Sequence, residues 1–232
     1  MALTPIELGG ISPLHPFMML LQRAEDAACR SADVVVSILP KADTHLVSRG
    51  MAQDKFVFIP NGIDPDEWGV EINEPLPAPH AEAIARARRR GYLLVGYAGS
   101  HGVANALGTA LDAAALMRED PVTWLFVGGG PQKPALLKRV AAERLSNVIM
   151  LDPVPKAVIP ALLRAKDILY TGLHRHSLFR FGINPNKLMD YMIAARPIVA
   201  VEAGNDPVGE AGCGLTVPPE NAAIAFRKWL CT

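Results

Sequence analysis

The sequence predicts an α/β fold, a doubly wound parallel sheet of Rossmann-like type preceded by a partial α/β region. Three observations carry that prediction. Short apolar runs recur from residue 92 onward, at 92–97, 123–127, 147–151, 167–170, 197–201 and 215–217. Helix-like stretches separate most of them, at about 103–118, 132–145, 155–165 and 185–195, with a last helix from near Asn221. Strand alternating with helix at this spacing is the pattern of a parallel sheet covered on both faces.

Residues 1–15 read as irregular, with Gly9-Gly10 and two prolines, Pro5 and Pro13. A helix is expected over about 16–30, with Leu20, Leu21, Ala24, Ala27 and Ala28 at three-four spacing as its buried stripe. Its apolar patch at 16–21 reads as core or domain interface, with a shallow membrane contact as the alternative. The run 33–39 is continuous and β-branched, the mark of a strand buried on both faces. A short helix over 41–49 is stopped by Gly50. A second strand at 56–59 ends in the Pro60-Asn61-Gly62 turn.

Two strands and one or two helices do not close a layered domain. This leading piece either packs on the sheet domain after it or is the tail of a larger domain whose front is absent. Residues 63–91 read as a linker, with turn residues at 64–68, prolines at 75, 77 and 79, and a helix ending in Arg86, Arg88, Arg89 and Arg90. That basic cluster reads as a solvated helix end. The expected division is thus 1–62, a partial domain; 63–91, linker and helix; and 92–232, the sheet domain.

Formal net charge is zero, so no basic field argues for nucleic acid. Cys29, Cys213 and Cys231 are odd in number and widely spaced, giving neither a disulfide framework nor a zinc spacing. No signal-peptide pattern and no run of membrane-spanning length occurs. The expected location is the cytoplasm, with peripheral contact at the inner membrane face as an option.

In wound sheets, ligands sit at the carboxyl ends of strands. The loops there are Ala98-Gly99-Ser100-His101-Gly102, Gly128-Gly129-Gly130-Pro131, Asp152-Pro153-Val154-Pro155-Lys156 and Gly172-Leu173-His174-Arg175-His176. Gly96, Gly99 and Gly102 miss the G-x-G-x-x-G spacing. Glycines after the second strand, where a dehydrogenase places an acid, argue against nicotinamide. They permit a close backbone approach to phosphate. Val154 and its neighbours offer an apolar turn for a base, and Lys156 reach to a phosphate. His174 and His176 lack a third ligand for zinc. Each loop alone is most simply turn chemistry; at successive strand ends they favour a phosphorylated ligand.

The fourth loop runs into Phe179-Arg180-Phe181-Gly182-Ile183-Asn184-Pro185-Asn186-Lys187-Leu188-Met189-Asp190-Tyr191-Met192. Asn184 suits an N-cap and Pro185 the first helical position. Asn186 and Lys187 then occupy the first turn, where free N–H groups and the macrodipole favour an anion. A lysine there opposes the dipole unless an external anion lies between. Leu188, Met189, Met192 and Ile193 form the stripe that packs the helix on the sheet.

These motifs together, with Phe58-Ile59-Pro60-Asn61-Gly62-Ile63-Asp64 as a hinge, resemble the glycosyltransferases of family four, of the two-domain GT-B fold. The 182–192 run resembles the subset of fucosamine and related aminosugar transferases of surface-polysaccharide assembly. The resemblance implies a retaining, metal-independent transfer from a UDP- or GDP-sugar to a glycan or lipid-linked acceptor. It implies no cofactor beyond the donor substrate. It implies donor contacts at Gly99, Ser100, His101, Gly128, Gly129, Gly130, Val154, Lys156, Gly182, Ile183, Asn184, Pro185, Asn186 and Lys187. Lys187 would stabilise the leaving diphosphate, while Asp190 and Tyr191 would support the helix.

The chain departs from the broad family pattern. Phe179 and Lys187 stand where that family has two glutamates, and Ser100 and Asn105 where it has Arg and Lys. The ordinary diphosphate clamp is thereby altered, and the Asn-Pro-Asn-Lys run offers a replacement cation. The short leading region reads as a stump of the acceptor domain, as though the chain were truncated at its N-terminus. Two other readings stand beside transfer: a nucleotide-sugar epimerase, for which Asp190 and Glu202 are the nearby carboxylates, and a non-catalytic nucleotide-binding module.

Overall fold

A computed structural model describes residues 3–7, 9–69, 74–174, 176–201, 203–218, 223–224 and 227. Arg175, Glu202 and most of the helix expected from Asn221 lie outside the described residues. The chain divides into two compact units, one of 1–61, 175–185 and 203–205, the other of 62–174, 186–202 and 206–232.

The first unit opens with α1 (Leu3–Glu7), a single turn where irregular chain is expected. Helix α2 (Pro16–Ser31) comes next, with Pro16 at its first position and the His15 ring accepting from the Phe17 N–H (3.2 Å). Its buried positions are Met18 and Cys29, and the expected stripe fails at Leu20, Ala24, Ala27 and Ala28, which are not buried. Polar contacts accompany the face that turns inward. Glu25 and Asp26 meet His45 (3.2 Å) and Arg49 (2.6 Å). Those partners stand on and just past α3 (Asp43–Ser48), which Gly50 ends as expected, at φ 101°.

Strands β1 (Val35–Ser37) and β2 (Phe56–Phe58) pair in parallel over three residues. The run 33–39 is not buried on both faces: Val34, Val36 and Ile38 are exposed, Val36 at 57 %. Among the described residues, the buried cluster beneath is Cys29, Ala42, Leu46 and Met51, with Val35, Leu39 and Phe56 partly buried against it. So small a core gives a β-branched run one covered side at most.

The second unit holds α4 (Ala78–Arg89), β3 (Leu93–Ala98), α5 (Leu107–Leu116), β4 (Val122–Val127), α6 (Lys133–Ala142) and β5 (Val148–Leu151). It continues with α7 (Ile159–Arg164), β6 (Ile168–Thr171), α8 (Asn186–Ile193), β7 (Ile198–Val201), α9 (Pro207–Glu210) and β8 (Gly214–Val217). All six strands are parallel, in the order β5-β4-β3-β6-β7-β8. The expected strands and helices between residues 92 and 217 all appear, shifted by a residue or two, or trimmed to 3-10 turns at their ends. Among the described residues, a 3-10 helix over Ser177–Phe181 and α9 are unforeseen, the latter capped by Asp206, which accepts from the Gly209 N–H (2.9 Å).

Apolar layers cover both faces of this sheet. Tyr97, Leu111, Trp124 and Phe126 lead one; Leu94, Leu125, Leu162, Leu188 and Tyr191 lead the other. The arginines at the end of α4 are exposed, as expected, and Arg88 also binds both carboxylate oxygens of Asp167 (2.7 and 2.9 Å) and the Ala165 carbonyl. Lys166 is fully buried, and its ammonium nitrogen donates to the Leu162 carbonyl (2.9 Å). Its stem fills the hollow left by Gly96, where a Cβ would stand 1.6 Å from Lys166 Cδ. Burial pulls the Lys166 amine down to about 7. No helix among the described residues is long and apolar enough to cross a membrane.

Candidate functional site

The strand order reverses beside β3, with β4 on one side and β6 on the other, and the crevice at such a reversal is where wound sheets take ligands. The structure has a cavity of about 410 Å³ at the ends of β3 and β4, lined by Gly99, Ser100, Gly128, Gly129 and Val154 of the expected residues. Ala98, Val127, Pro153 and Ile159 complete the lining. Two glycine turns therefore form one wall and an apolar turn the other.

The glycines are required by the way the turns interlock. The Gly99 N–H donates to the Val127 carbonyl (3.0 Å), and the His101 N–H to the Gly129 carbonyl (2.7 Å). Gly99, Gly128 and Gly130 sit at φ 147°, 147° and 144°, which side chains avoid. A Cβ on Gly128 would stand 1.9 Å from the Gly99 carbonyl oxygen. Gly130 packs on the backbone of His101.

His101 does not line the cavity. It is fully buried behind the turns, its ring tilted against Tyr97 at 5.9 Å, and neither imidazole nitrogen has a hydrogen-bond partner among the described residues. Burial, then the charge of Lys133, lowers it to about 4, so the ring is neutral. Lys133 is a residue sequence reasoning passed over. Its ammonium donates to the carbonyls of Gly128 and Leu151 (both 2.9 Å) and pairs with Asp152 (2.6 Å), tying β4 to β5. Lys156 is exposed at the start of a 3-10 turn and does not line the cavity.

Lys187 stands in the first turn of α8, as expected, half-buried. Its ammonium donates to Asn105 Oδ1 (2.5 Å) and the Tyr97 hydroxyl (3.2 Å) and lies 4.7 Å from the centre of the Tyr97 ring. Desolvation lowers its amine to about 8. Tyr97 in turn donates to the Ser100 carbonyl (2.7 Å), and Asn105 Nδ2 donates to the same oxygen (2.8 Å). The ammonium is thus joined through two side chains to the loop that walls the cavity. Tyr97 gave no signal in the sequence because it reads as an ordinary strand aromatic.

Tyr191 supports its helix, as expected. Fully buried, its hydroxyl accepts from the Ala98 N–H (2.9 Å) and donates to the Ala98 carbonyl (3.2 Å), fastening α8 to the last residue of β3. The expected stripe of α8 packs as foreseen, with Leu188 buried and Met189, Met192 and Ile193 against the same layer.

The run 182–187 is divided. Asn186 and Lys187 belong to the sheet unit, while Gly182, Ile183, Asn184 and Pro185 belong to the first unit. Asn184 does not cap α8. Its side chain donates to the Ile38 carbonyl (3.2 Å), its own carbonyl accepts from Asn61 (2.7 Å), and the helix begins at Asn186. Gly182, at φ 92°, packs on Pro40, and Ile183 exchanges two hydrogen bonds with the Asn205 side chain (2.7 and 3.1 Å). Arg180 and His176 both turn to Glu7, which sits on α1.

Residues 92–231 match the model of the family described as glycosyl transferases group 1. No curated protein matches the chain in sequence at a significant level. Among solved structures, HepE of Anabaena in complex with UDP-glucose is similar at TM-score 0.66 and 20 % identity, over 93 % of this chain and 59 % of that one. WaaG, a glycosyltransferase involved in lipopolysaccharide biosynthesis, gives 0.66 and 17 % identity over 95 % and 60 %. A trehalose-6-phosphate protein of E. coli bound with UDP-2-fluoro glucose gives 0.69 and 15 % identity over 94 % and 56 %. The chain therefore spans less than two thirds of the length of these structures, and the likeness to them is one of fold.

Proposed function

Because the chain belongs to the glycosyl transferases group 1, we propose that it binds a nucleotide diphosphate sugar, UDP- or GDP-linked, and serves the transfer of that sugar to a glycan or lipid-linked acceptor. The observation that carries this reading is the cavity between two interlocked glycine turns, with a lysine ammonium joined to its wall. The backbone at Gly99, Ser100, Gly128 and Gly129 takes the diphosphate, Pro153 and Val154 lie against the base, and Lys187 approaches the charge that develops as the sugar leaves. In the transfer, the bond from the anomeric carbon to the phosphate oxygen breaks with its electron pair on that oxygen. An acceptor hydroxyl oxygen bonds to the carbon, on the same face if the reaction is retaining, and its proton leaves with the diphosphate or to solvent. A preorganised ammonium supplies charge stabilisation there without a metal ion.

The aminosugar subset and a role in surface-polysaccharide assembly fit the 182–192 run. A reaction at the inner membrane face, from the cytoplasm, fits a lipid-linked acceptor. A second reading is a donor-binding module that needs a further polypeptide for transfer, and the length comparison favours it for these residues alone.

Calorimetry with UDP and GDP tests the reading. We expect one of them to bind, and Lys187→Ala to weaken it by about tenfold or more, the scale of a charge-assisted hydrogen bond. The ammonium is charged below about 8 and neutral above, so affinity is present at lower pH and lost as pH rises past that value. Absence of binding to either nucleotide, or equal affinity in Lys187→Ala, removes the assignment.

A further inference from the structure

Lys187 meets an amide and a phenol that come from the far side of the strand reversal, and those two groups share a second task. Asn105 accepts from Lys187 with its oxygen and donates with its nitrogen to the Ser100 carbonyl; Tyr97 accepts from Lys187 and donates to that same carbonyl. The four groups close a ring: ammonium, amide, peptide carbonyl, phenol. Ser100 is the member of this ring that lines the cavity.

The loop is held rigidly at Asn105 by its surroundings. Ala106 has φ 45°, a left-handed conformation that a residue with a Cβ rarely adopts. Gly172, after β6, makes room for the Asn105 carbonyl: a Cβ there would stand 2.7 Å from that oxygen and 2.6 Å from the Tyr170 hydroxyl. The amide is thus presented to α8 by the loop after β3, wedged against the loop after β6.

We propose that Asn105 is the positioning residue for the Lys187 ammonium, its amide holding the charge against the cavity wall at Ser100. This rests on the function proposed above and adds to it the residue that aims the cation. The Lys187 ammonium lies 2.5 Å from Asn105 Oδ1, so that oxygen fixes where the charge stands. Tyr97, the titratable side chain that touches the ammonium, stays a neutral phenol because burial raises its ionisation well above the usual range.

The experiment uses the full chain, with UDP and GDP as the nucleotide probes, and three variants: Asn105→Ala, Lys187→Asn, and the pair Asn105→Ala with Lys187→Asn. Affinity for the bound nucleotide is read by calorimetry, and folding by circular dichroism. Each single variant is expected to lose several-fold to tenfold, and the pair to lose no more than Lys187→Asn alone. Additive losses overturn the proposal, since a loop-stability role for Asn105 does not depend on the lysine. Reductive ¹³C-methylation supplies a readout that needs no nucleotide. The Lys187 resonance, assigned through Lys187→Arg, should shift and titrate at a different pH in Asn105→Ala. If the wild type binds neither nucleotide, the functional reading fails, and this resonance alone decides the contact: a shift supports it and an unmoved signal overturns it.

Discussion

The two parallel pairs β1–β2 and β3–β4 are built from similar residues and end in opposite states. Val34 to Ile38 and Val122 to Val127 are both runs rich in β-branched and apolar side chains. In β4 every residue is buried. In β1 none is, and Val36 is more than half exposed. The difference lies in what surrounds them. Around β4 stand neighbouring strands on both edges and apolar layers on both faces. Within its own unit β1 has one paired strand and a four-residue cluster beneath it. A β-branched run therefore reports capacity for burial, and the number of layers supplied decides whether it is used.

Substitutions can break this contrast or sharpen it. The largest effect is expected for Leu125→Ala in the middle of β4, which should lose about 2–5 kcal/mol in denaturant unfolding because a closed layer leaves the cavity unfilled. A loss under about 1 kcal/mol would mean that the layer collapses and that the sheet is less tightly packed than its geometry indicates. Lys166→Met should act in the other direction. The folded amine titrates at about 7 and the unfolded one at 10.5, so in that window the unfolded chain holds a proton that the folded chain lacks. Stability should rise with pH from about 7 to about 10.5 in the wild type. Methionine, of similar length, should remove that slope and raise Tm by several degrees at pH 7, while the two proteins converge near pH 10.5. An unchanged slope would show that the lysine reaches water. The smallest effect belongs to Val36→Thr on β1, within about 0.5 kcal/mol by the same unfolding measurement. A loss above about 1.5 kcal/mol would show that β1 is covered in solution.

Much of the sheet unit was legible because its strands and helices obey one rule at one spacing, so the strand ends, and with them the glycine turns, followed from order alone. Lys187 was legible as a cation out of place at a helix start. What escaped depends on contacts distant in sequence. Nothing near Tyr97 says that its phenol takes an ammonium 90 residues away. Lys133 looks like any lysine opening a helix until three oxygens of the adjoining strand ends surround it. The reading of α2 failed for a related reason. Spacing found an alanine-rich stripe, whereas Glu25 and Asp26 turned inward to partners supplied by α3 and the residue after it. Asn184 had the right chemistry for a cap, and its amide was claimed by a carbonyl of the first unit.

The lysine stem lying in the hollow of Gly96 bears on how this protein can change by descent. A methyl group at 96 meets a chain with no exit, and a short residue at 166 leaves an empty space under the central strand. A bulkier residue at 96 or a small one at 166 is costly alone, so those two changes are expected together, whereas Lys166→Met keeps the hollow filled. Lineages that change it are expected to carry a bulkier residue at 96 together with a small one at 166.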